Sequence, residues 1–280
     1  MRSESGSLLD RINRLIEADK LTLPVFDKVA LRIRELTADR NCDVADVDRL
    51  ISSDQALCAE VLRAANSPFY GGLSPIRTIQ NAIVRLGLDQ VTRLVSLASQ
   101  FSKYRARDRQ LSAMLQDLWH HSSTTAIASQ WIAKRLRAEE IEDECFLGGL
   151  FHDIGKLLIL RAIDEINYLE GRLTISKTLV REVLDVAHTQ LGYNLLTRWS
   201  IPKVYAQIAL THHNEEFDAT DLTLVTVRLA NEAAKKLGVD LNPDPTIVLT
   251  STPEAHLLKV SDVLLAELEV MLEDHIATTA

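Results

Sequence analysis

Cysteine is scarce: Cys42, Cys58 and Cys145 are the only three in 280 residues, and no two stand at the spacing of a metal-binding pair. A set so small and odd excludes a disulfide framework and suits a reducing cytoplasm, where we expect the chain to reside. Long apolar runs are missing too. None approaches the roughly 18 residues needed to cross a bilayer, so no membrane association is expected. The opening Met1-Arg2-Ser3-Glu4-Ser5 lacks the basic start and apolar stretch of a secretory signal. Positive charge is short: 31 Lys and Arg face 39 Asp and Glu, a net charge of -8. Without a basic cluster, a nucleic-acid polymer is excluded as an electrostatically held partner. No repeat of about 20–50 residues marks a solenoid. Strand-like sequence is confined to Thr246-Ile247-Val248-Leu249-Thr250, between Pro245 and Pro253, and one short β-branched run makes no sheet.

What the chain does carry is helical periodicity. With 46% hydrophobic and 25% charged residues, it has the make-up of a soluble globular protein long enough for one or two buried cores. Leu8, Ile12, Leu15 and Ile16 mark a first helix, which Leu23-Pro24 ends; Val29, Ile33 and Leu36 mark a second. Ser74 and Pro75 can start a helix lined by Ile76, Ile79, Ile83 and Leu86, with Gly87 as its left-handed stop. Further helices are expected over residues 89–102, 111–137, 142–162, 176–198, 202–213, 221–237 and 260–275. The fold class is all-α. A polar break, Ser102 to Arg109, separates an amino-terminal helical part (residues 20–103) from a second bundle (110–237), read as subdomains of one unit packed on each other. Residues 1–19 form an amino-terminal helix. Residues 238–280 form a carboxy-terminal extension whose acidic amphipathic helix caps the bundle or serves self-association, the latter making a homo-oligomer.

Six of the eight histidines lie in the second bundle: His120, His121, His152, His188, His212 and His213. Histidine is the commonest protein ligand for a transition metal, and a carboxylate is its usual companion; here Asp153 follows His152 directly. His121 shares a helix side with Leu111, Leu115 and Leu118, and so looks inward, whereas His120 is turned about 100° from it. His152 and Asp153 are consecutive and diverge around a helix, yet both reach a centre lying between their directions. Gly148, Gly149 and Gly155 beside them lower helix propensity, a cost tolerated where another backbone or an ion comes close. Lys156, one turn on, could hold an anion by charge. His188 sits on an apolar stripe with Leu184 and Leu191, thinned by Gly192. His212 and His213 end a helix that is apolar over a wide arc, so both can point inward. A lone inward histidine is more often a hydrogen-bonded core residue than a ligand, the reading kept for His256 and His275, and a lone Lys156 would be a snorkelling lysine. The coincidence of inward histidines on four successive helices, beside an adjacent His-Asp pair, points instead to a common centre.

The order His, His-Asp and later histidines resembles the HD superfamily of metal-dependent phosphohydrolases. Over residues 20–237 the chain looks more like its HDOD branch, the HD-related output domains of bacterial signalling. That resemblance is carried by Leu23-Pro24, by Ile51-Ser52-Ser53-Asp54-Gln55-Ala56-Leu57, by Leu62 through Gly71 and by Ile79 through Gly87. It continues in Leu118-Trp119-His120-His121-Ser122, Leu150 to Lys156, His188 to Leu196 and His212-His213. The resemblance implies one metal held by His121, His152, Asp153 and a late acidic residue. It implies a second sharing Asp153 with His188, His212 and His213, and Lys156 on a substrate phosphate. Two departures follow. The late acidic position is Asn231, a weak ligand without charge, and Asn214-Glu215-Glu216-Phe217 replaces the Gly-Tyr-Pro segment of the related HD-GYP enzymes, which hydrolyse cyclic di-GMP. We therefore expect one well-held divalent transition ion at most, Fe, Mn, Co, Ni or Zn. We expect a non-catalytic regulatory module of signal transduction, standing alone, whose partners are other signalling proteins or a nucleotide ligand. The alternative is a metal-dependent phosphohydrolase acting on cyclic dinucleotides or other phosphoesters, with Asp153 and Lys156 as its catalytic residues.

Overall fold

A computed structural model describes residues 7–17, 32–33, 36–37, 42–52, 61, 64–65, 67, 69–70, 76, 79–101, 106–169, 176–198 and 203–279. Every regular element among them is helical. None of these helices is long and apolar enough to cross a membrane. The chain divides into two compact units, residues Pro24–Arg105 and residues Met1–Leu23 with Ala106–Ala280. Helix α1 (Leu8–Glu17) thus belongs with the histidine-bearing half, where it lies against the helix after Asp153.

The smaller unit contains α2 (Val44–Ser52), α3 (Ile79–Leu86) and α4 (Leu88–Phe101). Its core gathers Ile33, Val47, Ile51, Val61, Ala65, Ile79, Ala82, Ile83, Val91 and Val95. Helix α3 stops as its sequence predicts: Gly87 takes φ +82° and donates its N–H to the Ile83 carbonyl at 2.8 Å. That left-handed conformation costs glycine nothing, and it lets α4 begin at once in a new direction. The expected cap Ser74-Pro75, the Leu23-Pro24 break, Val29, Ser53 to Leu57, Leu62-Arg63, Asn66, Pro68 and Gly71 lie outside the described residues, as do residues 102–105 of the polar break.

The larger unit is built on α5 (Arg109–Arg135), 27 residues and so about 40 Å long. Asp108 caps it, its Oδ1 accepting from the N–H groups of Gln110 (2.8 Å) and Leu111 (3.0 Å). Buried Asp164 secures the approach by accepting the N–H groups of Arg107 and Asp108. After a 3-10 turn at Glu139–Ile141 come α6 (Glu142–Phe151), α7 (Ile154–Leu169), α8 (Lys177–Arg198), α9 (Lys203–Thr211) and α10 (Leu222–Lys236). Helix α5 packs on α6, α7 and α10; α8 lies between α7 and α9; α6 touches α9 and α10. The chain closes with α11 (Pro253–Leu257) and α12 (Asp262–Thr279). Leu265, Leu268, Met271 and Leu272 of α12 are buried in one cluster with Ala128 and Ile132 of α5 and Val225 and Leu229 of α10.

Two expectations need correction. The helix expected over residues 142–162 is two helices, interrupted at His152-Asp153. The one expected to end at residue 213 ends at Thr211, leaving His212 and His213 in a turn. The strand-like run at 246–250 forms no strand, in keeping with the all-α expectation. Asp244 Oδ1 accepts both the N–H and the hydroxyl of Thr246 (3.0 and 2.6 Å), and Leu249–Ser251 closes a 3-10 turn. This local side-chain bonding satisfies the backbone where a sheet partner would otherwise be required. Helix α11, with five residues, is too short to announce itself by periodicity.

Candidate metal centre

Two glycines bring the relevant helices together. A methyl group on Gly149 would lie 2.7 Å from Cα of Ala126, so α6 meets α5 backbone to backbone. A methyl group on Gly155 would collide with the His188 carbonyl, and Gly192 faces it from α8. No larger residue permits such an approach. The break between α6 and α7 falls between these contacts. Because the chain turns at residues 152 and 153, two consecutive side chains enter one centre, although on a continuous helix they would diverge.

Backbone carbonyls fix the tautomer of four imidazoles. Nδ1–H of His121 donates to Val239 O, that of His152 to Gly149 O and that of His188 to Leu184 O, each at 2.7 Å. Nδ1–H of His212 is shared between Ile208 O and Ala209 O, at 3.1 Å each. A carbonyl can only accept, so each neutral ring presents a bare Nε2 lone pair. All four converge on the buried Asp153 carboxylate. His121 and His152 Nε2 stand 3.4 Å from its Oδ2, and His188 and His212 Nε2 stand 3.5 Å from its Oδ1. The His121 and His152 Nε2 atoms are 3.0 Å apart. Burial, chiefly, holds His152, His188 and His212 below the usual histidine range, His212 to about 3, so these three are neutral near pH 7.

Lone pairs facing a carboxylate with no proton between them repel one another, and a cation removes the repulsion. Asp153 Oδ1, His188 Nε2 and His212 Nε2 are buried without a hydrogen-bond partner, a costly arrangement for a protein interior unless an ion is bound. Spacing fits as well. Ligands held about 2.1 Å from a first-row ion at about 90–110° to one another stand about 3.0–3.4 Å apart. Two sets share Asp153: His121, His152 and Asp153, and Asp153, His188, His212 and His213. All these residues are buried except His213, which is exposed and marks the open edge of the second set.

Lys156 donates from Nζ to Asp153 Oδ2 at 2.6 Å. Burial opposes the charge on Asp153, but the Lys156 ammonium together with His152 and His121 more than offsets it and keeps the carboxyl well below its ordinary range. Asn231 is buried on α10 with its Oδ1 unpartnered. His120 is half-buried, packs edge-to-face on Trp119 at 4.9 Å, and belongs to neither set. His256 is exposed and donates to Thr252 O.

Sequence reasoning missed the groups behind the histidines. Arg228 on α10 donates to the carbonyls of His212 (2.7 Å) and Asn214 (2.9 Å), fixing the turn that carries His212 and His213. It is aimed by buried Glu254 of α11 at 2.7 Å and by Phe217, whose ring lies 3.9 Å beneath the guanidinium. Val239, which orients His121, and Asp240 beside it lie beyond α10. Arg228 reads in sequence as an ordinary helix charge, and Val239-Asp240 as part of a loop; neither carries a periodic or motif signal.

An all-α bundle in which a His, a His-Asp pair, a further His and a His-His pair from successive helices and the turns that end them meet at one buried carboxylate is an HD-type protein. The chain belongs to the HDOD domain family, whose profile matches residues 23–215. Its fold is shared with an HDOD domain protein of unknown function from Geobacter sulfurreducens, at a TM-score of 0.72 and 22% identity, covering 97% of both chains. A candidate metal-dependent phosphohydrolase from Shewanella amazonensis aligns at 0.67 and 18% identity, over 90% of this chain and 96% of that one. An uncharacterized protein of Treponema pallidum is 23% identical over 215 residues, 75% of this chain. The match spans only 40% of that relative's length. At these identities the structural likeness establishes the fold.

Proposed function

We propose that this is a regulatory HDOD module in which one divalent transition ion, held by Asp153, His188, His212 and His213, locks the helix bundle. The observation that carries this reading is the Lys156 ammonium 2.6 Å from Asp153 Oδ2. A hydrolytic pair of ions needs both oxygens of the shared carboxylate, and here one of them already neutralises a lysine. Asn231 adds no charge to the weakened first set. A ligand set of imidazoles with one carboxylate and no thiolate suits Fe, Mn, Co, Ni or Zn over Mg or Ca. When bound, such an ion lowers the pKa of a coordinated water to about 7 and polarises phosphoryl oxygens. The residues of this chain offer little access to that chemistry: Asp153 is 1% exposed and His188 and His212 are 3% exposed, so approach is limited to the His213 edge. The module would then answer to other signalling proteins or to a nucleotide.

The open His213 edge is also what favours the second reading, a phosphohydrolase. There Asp153 would orient the reacting groups and Lys156 would offset charge developing on the phosphoryl oxygens. The test is to assay the metal-reconstituted full chain on cyclic dinucleotides and on an activated phosphodiester. We expect no turnover above that of Asp153→Ala. Metal-dependent turnover that Asp153→Ala abolishes would replace the regulatory reading with the enzymatic one.

A further inference from the structure

Beyond the residues matched by the family profile, the chain adds a second carboxylate to the centre. Helix α10 ends in a turn at Gly238 (φ +83°), whose N–H donates to Lys235 O while the Val239 N–H donates to Ala234 O. The next residues run back over the centre and are held from α8, where Arg181 donates to Leu241 O at 3.1 Å. The Asp240 side chain is only 3% exposed. Its Oδ1 accepts the Asn242 N–H at 2.6 Å, while its Oδ2 has no hydrogen-bond partner and lies 3.3 Å from His121 Nδ1. The one proton on that nitrogen goes to Val239 O, the nearer acceptor at 2.7 Å. A bare carboxylate oxygen is thus buried directly behind a ring whose Nε2 faces Asp153.

Charge explains why it is there. Asp153 and Lys156 cancel as an ion pair, the imidazoles are neutral donors, and Asn231 contributes nothing. A divalent ion entering such a centre would be buried without net counter-charge, which is strongly unfavourable. Asp240 changes the sum to one negative charge.

Given the reading that this centre holds a metal, we propose that Asp240 is a positioning residue and the second carboxylate of the site. It supplies from behind His121 the negative charge that Asn231 does not. Outer carboxylates of this kind, placed behind a ligating histidine, typically account for about 10–100-fold in metal affinity.

The experiment measures Zn2+ affinity of the full chain by competition with a chromophoric chelator, in wild type, Asp240→Asn and the double variant Asn231→Asp/Asp240→Asn. Helical content and the thermal transition of the metal-free proteins are followed alongside. We expect Asp240→Asn to keep its fold and lose about tenfold or more in affinity, and the double variant to recover most of that loss. Recovery is the informative arm, because a merely structural role for Asp240 would not be repaired by a carboxylate on α10. Affinity of Asp240→Asn within about twofold of wild type would overturn the proposal while leaving the metal centre standing. So would a loss that the double variant does not recover. If Asp240→Asn does not fold, Asp240→Glu, which keeps the charge, takes its place; it should bind within about threefold of wild type, and a tenfold loss there overturns the proposal. Wild type that binds no Zn2+ overturns the reading of the centre together with the proposal.

Discussion

At the scale of single residues, the chemistry rests on which nitrogen of each imidazole carries the proton. Carbonyls at Val239, Gly149, Leu184, Ile208 and Ala209 take the Nδ1 protons, so the Nε2 lone pairs face Asp153. Burial keeps His152, His188 and His212 neutral in the native state, whereas unfolded histidines protonate near 6.5. As pH falls below about 6.5 the unfolded chain binds protons that the native chain refuses, so stability decreases. Asp153, whose carboxyl is held below its ordinary value, loses its contribution only at far lower pH and does not mask this. The urea midpoint of the metal-free protein should fall between about pH 7.5 and about pH 5.5, and fall less steeply in His212→Gln. An equal slope in the two proteins would contradict the assignment of a buried neutral ring. The clustered histidines and Asp153 were legible because inward histidines recur on successive helical segments beside an adjacent Asp. Asp240 and Arg228 were not, because nothing in a loop or a single helix charge tells which distant carbonyl or ring it faces.

Among the elements, the interruption between α6 and α7 does the most. It turns His152 and Asp153 into one centre, and it sits between the backbone contacts of Gly149 with α5 and Gly155 with α8. Gly155→Ala should destabilise the protein by about 3 kcal/mol, since the added methyl meets backbone that cannot yield as a side chain can. Urea denaturation measures this, and a loss under about 0.5 kcal/mol would show that α7 and α8 are less closely apposed. Gly149 and Gly155 did mark close backbone approach, whereas Gly148 faces the side chains of Ile208 and Val227. The break did not show, because Ile154 to Leu160 is apolar apart from Lys156 and fits a continuing helix as well as a new one. For the same reason the ends of α9 and the short α11 escaped: periodicity over one or two turns does not separate helix from turn. Gly87 was readable because only glycine takes the left-handed conformation freely, so its position names the end of α3.

The whole molecule shows why residues after 237 are part of the working unit. An acidic amphipathic helix tells that one face is buried, not against what, so its partner could not be read from sequence. In the structure Leu265, Leu268 and Leu272 are buried with Ile132 and Val225, each worth about 1.5–3 kcal/mol against exposure. Glu254 and Val239, from the same region, orient Arg228 and His121. A chain ending at Leu237 should therefore lose its cooperative thermal transition and retain no metal, as followed by circular dichroism and metal analysis. A folded, metal-binding fragment would show that these contacts are dispensable. The all-α class and the HDOD family were plain from sequence, since helical periodicity and ordered motifs run through most of the chain. The central claim is that the histidine centre holds an ion, and elemental analysis of the purified, reconstituted full chain tests it most directly. The structure predicts about one transition ion per chain in wild type and almost none in Asp153→Ala. Wild type holding far less than one ion after reconstitution would contradict it.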